Sequence, residues 1–356
     1  MTARTFSVLS RRDFLSGAGV LAIGATAPRC AMPLKMAPEK GELIYQCVLD
    51  AAPWSPRYGL GLVVFQDRLW VLGGSGTLHN GSQVNDVWSS EDGVRWRQEL
   101  GSAPWRPRWG HAAFAFAGKL WIIGGLASVE PIHNLNDIWS SLDGKNWTLE
   151  VADAPWPARH VWAATLHRDR LYLLGGATDG SRYYQDVLSS EDGIHWHLET
   201  IQEPWFEKRK NHAAASYHDK IVLAGGSIID RSQPHGSRLL NDVWSSEGGR
   251  TWTCVAREAP WSPRNVHNLV VYRGKLWLVG GEFGAGRYAT DLWLTVDGKS
   301  WVQKAGQFAW PGRHAGGVVV FNDKVWIVAG TSDSLGRSSR NDIWNFAEGK
   351  STTRLG

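Results

Sequence analysis

The sequence predicts an all-β ring, a propeller of six blades with four antiparallel strands in each, and three recurring markers predict it. An arginine falls at Arg57, Arg108, Arg159, Arg209, Arg264 and Arg313. A glycine pair follows at Gly73-Gly74, Gly124-Gly125, Gly175-Gly176, Gly225-Gly226 and Gly280-Gly281, with Ala329-Gly330 as the sixth copy. An aspartate stands at Asp86, Asp137, Asp186, Asp242, Asp291 and Asp342. Successive arginines are 51, 51, 50, 55 and 49 residues apart and the other markers keep step, so the copies start near residues 52, 103, 154, 203, 259 and 309. A unit of this size cannot bury its own apolar face, and stacking the copies does so.

Within a copy, Ala-Pro-Trp-x-x-Arg leads into strand a, predicted at His111 to Ala117 in the second copy. Strand b (Lys119 to Ile123) alternates into the glycine pair, and strand c carries Asp-Val-Trp (Asp86 to Ser90 in the first copy). A Ser-Ser-Glu-Asp-Gly turn, whose glycine tolerates a left-handed backbone, then reverses the chain into strand d, which holds Trp96. The last copy has strands a, b and c only. Residues Leu43 to Leu49 stand before Ala52-Pro53-Trp54 as Thr148 to Val151 stand before Ala154-Pro155-Trp156. The N-terminal segment is therefore predicted to complete the sixth blade, closing the ring and covering two strand edges. Most of the 22 tryptophans recur on strands b, c and d, where they are expected to fill space within and between blades.

The period of about 50 residues and the double glycine closing a strand resemble the kelch repeat, and the resemblance covers residues 43 to 346. It implies a propeller of the galactose-oxidase-like superfamily. Some kelch proteins use arginines at the start of strand a to grip acidic ligands, and a guanidinium fork suits a carboxylate, sulfate or phosphate. Copper-radical chemistry of the galactose oxidase kind needs a cysteine beside a tyrosine at the channel. Here Cys47 and Cys254 fall on outermost strands, which sets that chemistry aside and leaves the two cysteines too far apart to bridge. The chain is also similar in fold and compartment to the periplasmic six-bladed N-acetylneuraminate mutarotases. That resemblance implies arginines on a substrate carboxylate and Glu282 as general acid or base.

The first thirty residues differ from the rest. Ser10-Arg11-Arg12-Asp13-Phe14-Leu15 precedes a Gly/Ala-rich stretch from Gly17 to Ala27, a pattern that resembles the twin-arginine export signal. It implies passage through the twin-arginine translocon to the periplasm or beyond. The expected organisation is a signal at 1–30, a linker at 31–42, the propeller at 43–346 and a tail at 347–356. Loss of Arg4, Arg11, Arg12, Arg29 and Asp13 removes three net positive charges from +4 and leaves +1. A near-neutral body without a basic stripe excludes nucleic acid as a partner, and no apolar run is long enough to insert in a membrane after the signal is removed.

The six copies permit an internal comparison: what recurs is scaffold, and what departs from the repeat is a candidate for function. The residue after each arginine varies freely (Tyr58, Trp109, His160, Lys210, Asn265, His314), as the wall of a pocket would. The arginines themselves are either scaffold or acid-gripping groups at the mouth. His111, His160, His212, His267 and His314 lie near the start of strand a and raise the alternative of a transition metal, although no cofactor is expected. The loops after the glycine pairs carry further polar residues: His79; Glu130 and His133; Asp179, Arg182, Tyr183 and Tyr184; an insertion from Ser227 to Leu240; Arg287 and Tyr288; Asp333, Arg337 and Arg340. Glu282 directly follows the fifth glycine pair, where other copies have Ser, Leu, Ala, Ser or Thr. The expectation is a non-catalytic module that binds a small acidic or sugar ligand, or a protein partner, at the mouth; the alternative is a carbohydrate-active enzyme.

Overall fold

The computed structural model describes residues 42–76, 83–128, 133–178, 182–199, 206–233, 236–284, 286–304, 308–333 and 337–349. The ring lies within the unit Met32–Gly356, and residues 1–31 lie outside the described residues. The expected signal and its flank, and with them His79, Glu130 and Asp179, also fall outside the described residues.

Strand β1 (Leu43–Leu49) is followed by blade one, β2 (Gly61–Phe65), β3 (Arg68–Ser75), β4 (Gln83–Ser90) and β5 (Arg97–Leu100). Blade two is β6 (Ala112–Phe116), β7 (Lys119–Ala127), β8 (His133–Ser141) and β9 (Trp147–Val151). Blade three is β10 (Ala163–His167), β11 (Arg170–Leu174), β12 (Val187–Ser190) and β13 (His197–Glu199). Blade four adds a two-residue strand, β14 (Arg209–Lys210), to β15 (Ala213–Tyr217), β16 (Lys220–Ile229), β17 (Ser237–Ser246) and β18 (Thr253–Ala256). Blade five is β19 (Asn268–Tyr272), β20 (Lys275–Val279), β21 (Leu292–Thr295) and β22 (Val302–Gln303). Blade six is β23 (Gly317–Phe321), β24 (Lys324–Thr331) and β25 (Ser339–Glu348), with β1 as its outermost strand. Every pairing is antiparallel, and β1 runs along β25 from Leu43 opposite Glu348 to Leu49 opposite Ile343. Tyr45 takes the place that strand-d tryptophans hold elsewhere, packing edge-on to Trp310 at 6.1 Å.

Six apolar clusters hold the ring, each combining two neighbouring blades. Trp156, from the turn leading into blade three, joins Trp121 and Ile138 of blade two to Leu171 and Leu188 of blade three. The Ala-Pro-Trp tryptophans meet the strand-d tryptophans edge to face, as in Trp54 with Trp96 at 4.6 Å and Trp156 with Trp196 at 5.1 Å. Strand-c asparagines hold the same turn from the preceding blade: Asn85 Nδ2 donates to Ala103 O (2.7 Å) and Trp105 O (2.9 Å), and Asn341 repeats this on Ala52 and Trp54 across the closure.

Two details depart from expectation. The glycine pair does not close strand b in blades one, two, four and six; the strand runs through it with a shift of register, as between Leu72 and Gly74. A bulge bends the strand and makes room for the next blade to approach. The Ser227 to Leu240 insertion is largely a lengthened hairpin, since β16 and β17 stay paired out to Ile229 opposite Ser237. The Asp-Gly turns show why glycine recurs: Gly144 has φ +72°, and a Cβ there would lie 2.1 Å from the Trp70 ring of the preceding blade.

Candidate functional site at the mouth of the ring

The six repeat arginines are at most 3 % exposed, and each is engaged within the fold. Arg57 grips Asp86 with Nη1 and Nη2 at 2.5 and 3.0 Å, donates Nη1 to Gly73 O, and donates Nε to Ser55 O. The same fork recurs in Arg108–Asp137, Arg159–Asp186, Arg209–Asp242, Arg264–Asp291 and Arg313–Asp342. In five blades a strand-c tryptophan also donates to the aspartate, as Trp139 Nε1 does to Asp137 at 2.7 Å. Burial pushes the Asp137, Asp291 and Asp342 carboxyls up, but the arginine fork and the indole outweigh it and hold them below the usual carboxylate value. The arginines expected to grip an acidic ligand are thus placed as the internal partners of the strand-c aspartates.

The histidines stand on five different blades, and all five touch the central cavity. His111, His212 and His267 lie in the seams between blades, where a Cβ on Gly175 or Gly225 would meet the rings of His212 and His267 at 3.0 and 2.8 Å. Their ring nitrogens make no hydrogen bond of good geometry, although the backbone of Leu72, Leu174 and Ala224 respectively lies close enough to favour the protonated form weakly. Burial, followed by the neighbouring Arg108 or Arg264, lowers His111 and His267 to about 3, and burial with Arg209 lowers His212 as well. His160 and His314 sit in the residue position after the arginine, at the rim. Among the described residues no group of three or more His, Cys, Asp or Glu is arranged to hold a metal ion. Cys254 carries a free thiol.

These buried imidazoles carry a pH prediction. Above 6.5 they are neutral in folded and unfolded chains alike and contribute no pH dependence; below 6.5 the unfolded chain binds protons that the fold refuses. Stability should therefore fall as pH drops from 6.5 toward 3, by about 1.4 kcal/mol per pH unit for each histidine. Thermal unfolding midpoints should be flat from about pH 8 to 7 and decline from about pH 6, and His267→Leu, the residue type of Leu60 in blade one, should make that decline shallower. A decline that begins only below about pH 4 would assign acid sensitivity to the carboxylates instead.

The residues after the arginines meet at one end of the central channel. They rim a cavity of about 490 Å³ whose wall is built from the inner strands, largely small residues such as Gly61, Ala113, Ala164, Ala214 and Gly317. Tyr58, Trp109 and His160 form an aromatic run, with ring centroids 5.6 and 5.2 Å apart. His160 Nδ1 lies 2.7 Å from Asn134 Oδ1. Lys210 lies over the Tyr183 ring at 4.9 Å. His314 stacks on Tyr288 at 5.0 Å, and burial lowers it to about 4 although Asp333 opposes the shift. Burial also raises the Tyr58 hydroxyl to about 12. Among the described lining residues, Lys210 is the only Lys or Arg and Glu282 the only Asp or Glu. Glu282 is placed by backbone pairing with both Asn265 and Tyr288, and its charge adds to burial in raising the Tyr288 hydroxyl. Arg287 lies just outside, over the Phe283 ring at 4.9 Å.

Below this rim, sequence reasoning missed a closed circle of backbone hydrogen bonds. Gly110 N donates to Gly59 O (2.9 Å), Val161 to Gly110 (3.0 Å), Asn211 to Val161 (2.9 Å), Val266 to Asn211 (2.8 Å), Ala315 to Val266 (3.4 Å) and Gly59 to Ala315 (2.7 Å). All six residues have φ between 50° and 62°, a costly conformation for the β-branched Val161 and Val266. The circle fixes the spacing of the six rim residues, since each directly precedes one of its members.

Comparison with known proteins agrees with this architecture. No protein-family model matches the chain. A solved structure titled "Structure of YjhT" superimposes with a TM-score of 0.66 at 16 % identity, covering 83 % of this chain and 96 % of that one. Among curated proteins, the dynein alpha chain of the flagellar outer arm of Chlamydomonas reinhardtii is 27 % identical over 215 residues, 54 % of this chain. The chain spans 5 % of that protein's length.

Proposed function

We propose that this chain is a kelch-type propeller that binds a small polar ligand, a carbohydrate or small acid, at the rim formed by Tyr58, Trp109, His160, Lys210, Asn265 and His314, without chemical turnover. The observation that carries this reading is the coincidence of the positions that vary in kind between copies with one cavity of about 490 Å³. Its aromatic run suits the apolar faces of a sugar ring, and Lys210 suits an acidic group. Trp109 Nε1, Asn265 Oδ1 and His314 Nδ1 are buried without hydrogen-bond partners, which favours a ligand that supplies them. We propose further that residues 1–30 act as a twin-arginine signal and that the protein works in the periplasm or outside the cell.

Titration calorimetry against galacturonate, N-acetylneuraminate and galactose tests the binding reading. An acidic sugar should bind, and Lys210→Gln should weaken it about tenfold, or roughly 1.4 kcal/mol. No binding by any of the three would turn the reading toward a protein partner.

A second reading, proton transfer on a sugar such as mutarotation, is favoured by the placement of Glu282 as the cavity's carboxylate beside Tyr288. Glu282→Gln separates the two: abolished turnover with affinity retained supports catalysis, and altered affinity with no turnover in either form supports binding alone.

A further inference from the structure

Blade six departs from the repeat at one buried position. Two residues before each strand-c aspartate, the copies carry Val84, Leu135, Tyr184, Leu240 and Ala289, and the last four of these are at most 9 % exposed. The sixth copy carries Arg340. It occupies the same place: its carbonyl accepts from Arg57 N at 2.9 Å, as Val84 O accepts from Arg108 N and Leu240 O from Arg264 N. Its guanidinium is half-buried and close enough to Arg313 for the two cations to oppose each other; Asp342 favours the charge, but burial and Arg313 outweigh it. Nε donates to Ser332 Oγ at 3.1 Å, and among the described residues no carboxylate comes within ion-pair distance of it. The neighbouring carboxylates are engaged elsewhere. Asp342 accepts both arms of Arg313 and the Trp344 indole, and Asp333 accepts Arg337 N and Ser338 N.

A half-buried cation without an anion is costly, and an apolar residue fits this position in the other copies. We infer that Arg340 is an oxyanion contact beside the mouth, outside the cavity lining itself, where its guanidinium, next to Arg313 and Ser332 of blade six, holds a carboxylate, sulfate or phosphate group of a ligand that reaches past the rim. Ser332 follows Thr331, whose backbone pairs with the rim residue His314, so the guanidinium stands one layer behind the rim. This assignment rests on the mouth being a ligand site.

The test uses the full chain and the variants Arg340→Leu, which installs the residue of blade four, and Arg340→Gln, which keeps polarity. Sodium sulfate is titrated against sodium chloride at constant ionic strength while thermal unfolding is followed, and galacturonate and galactose are compared by calorimetry. Sulfate should raise the wild-type midpoint by about 2 °C more than chloride, and neither variant should respond. Without sulfate, Arg340→Leu should melt no lower than wild type. Galacturonate should exceed galactose in affinity about tenfold in wild type and not in the variants. An equal sulfate response in all three proteins, or none in any, overturns the assignment, as does an unchanged preference for galacturonate in both variants. A sulfate response that depends on Arg340 while neither sugar binds would leave the oxyanion contact standing and sink the sugar reading of the mouth.

Discussion

A chain starting at Asp50, without β1, should lose about 5 kcal/mol of stability or more, because Leu43, Tyr45 and Cys47 leave the apolar cluster between blades five and six. The loss exposes Phe346 and Trp344 along the unpaired edge of β25. The ring retains its inner latch, since Ala52 N donates to Asn341 O and Asn341 returns two bonds to Ala52 and Trp54. The expected result in urea is therefore a lower midpoint, early amide exchange in blade six, and a tendency to associate through the open edge. A truncated chain with the wild-type midpoint would show that the inner latch alone closes the ring.

Asp291→Leu should be the most damaging single substitution among the repeat positions. It leaves Arg264, 1 % exposed, with its charge uncompensated and the Trp293 indole without its acceptor. Removing one partner of such a pair costs about 3–5 kcal/mol. The double variant Arg264→Met with Asp291→Leu should recover much of that loss, since no unpaired charge remains, though Gly280 O and Ser262 O lose their donor. Denaturation of the two singles and the double measures the coupling. A mild single substitution, together with weakened ligand binding, would return these arginines to the mouth as gripping groups.

The blades, their order and the closing strand were legible because they rest on side chains that recur at fixed spacing. The forks were half legible. Arg57 and Asp86 recur together in every copy, which hints at pairing, yet an arginine at a strand start serves a ligand as readily as a neighbour. The rim could be found from its variability, since a position free to be Tyr58, Lys210 or His314 is not constrained by packing. The histidines misled because His111 and His160, 49 residues apart against a period of 51, are not equivalent: His111 stands three residues after its arginine and turns into a seam, whereas His160 directly follows its own and belongs to the rim. The backbone circle left no trace at all: peptide groups carry no signature, and Val161 and Val266 are not residues that announce a left-handed backbone.

The pairing of β1 with β25 has a consequence for biosynthesis. The strand that finishes the last blade leaves the ribosome before the rest of the ring, and its partner, Ser339–Glu348, leaves near the end. Throughout translation of the intervening blades Leu43–Leu49 must wait unpaired, so ring closure reports that the message has been read through to its final blade. A chain terminated before residue 339 would display two open edges at once, a form that quality-control proteases and chaperones distinguish readily from the finished molecule.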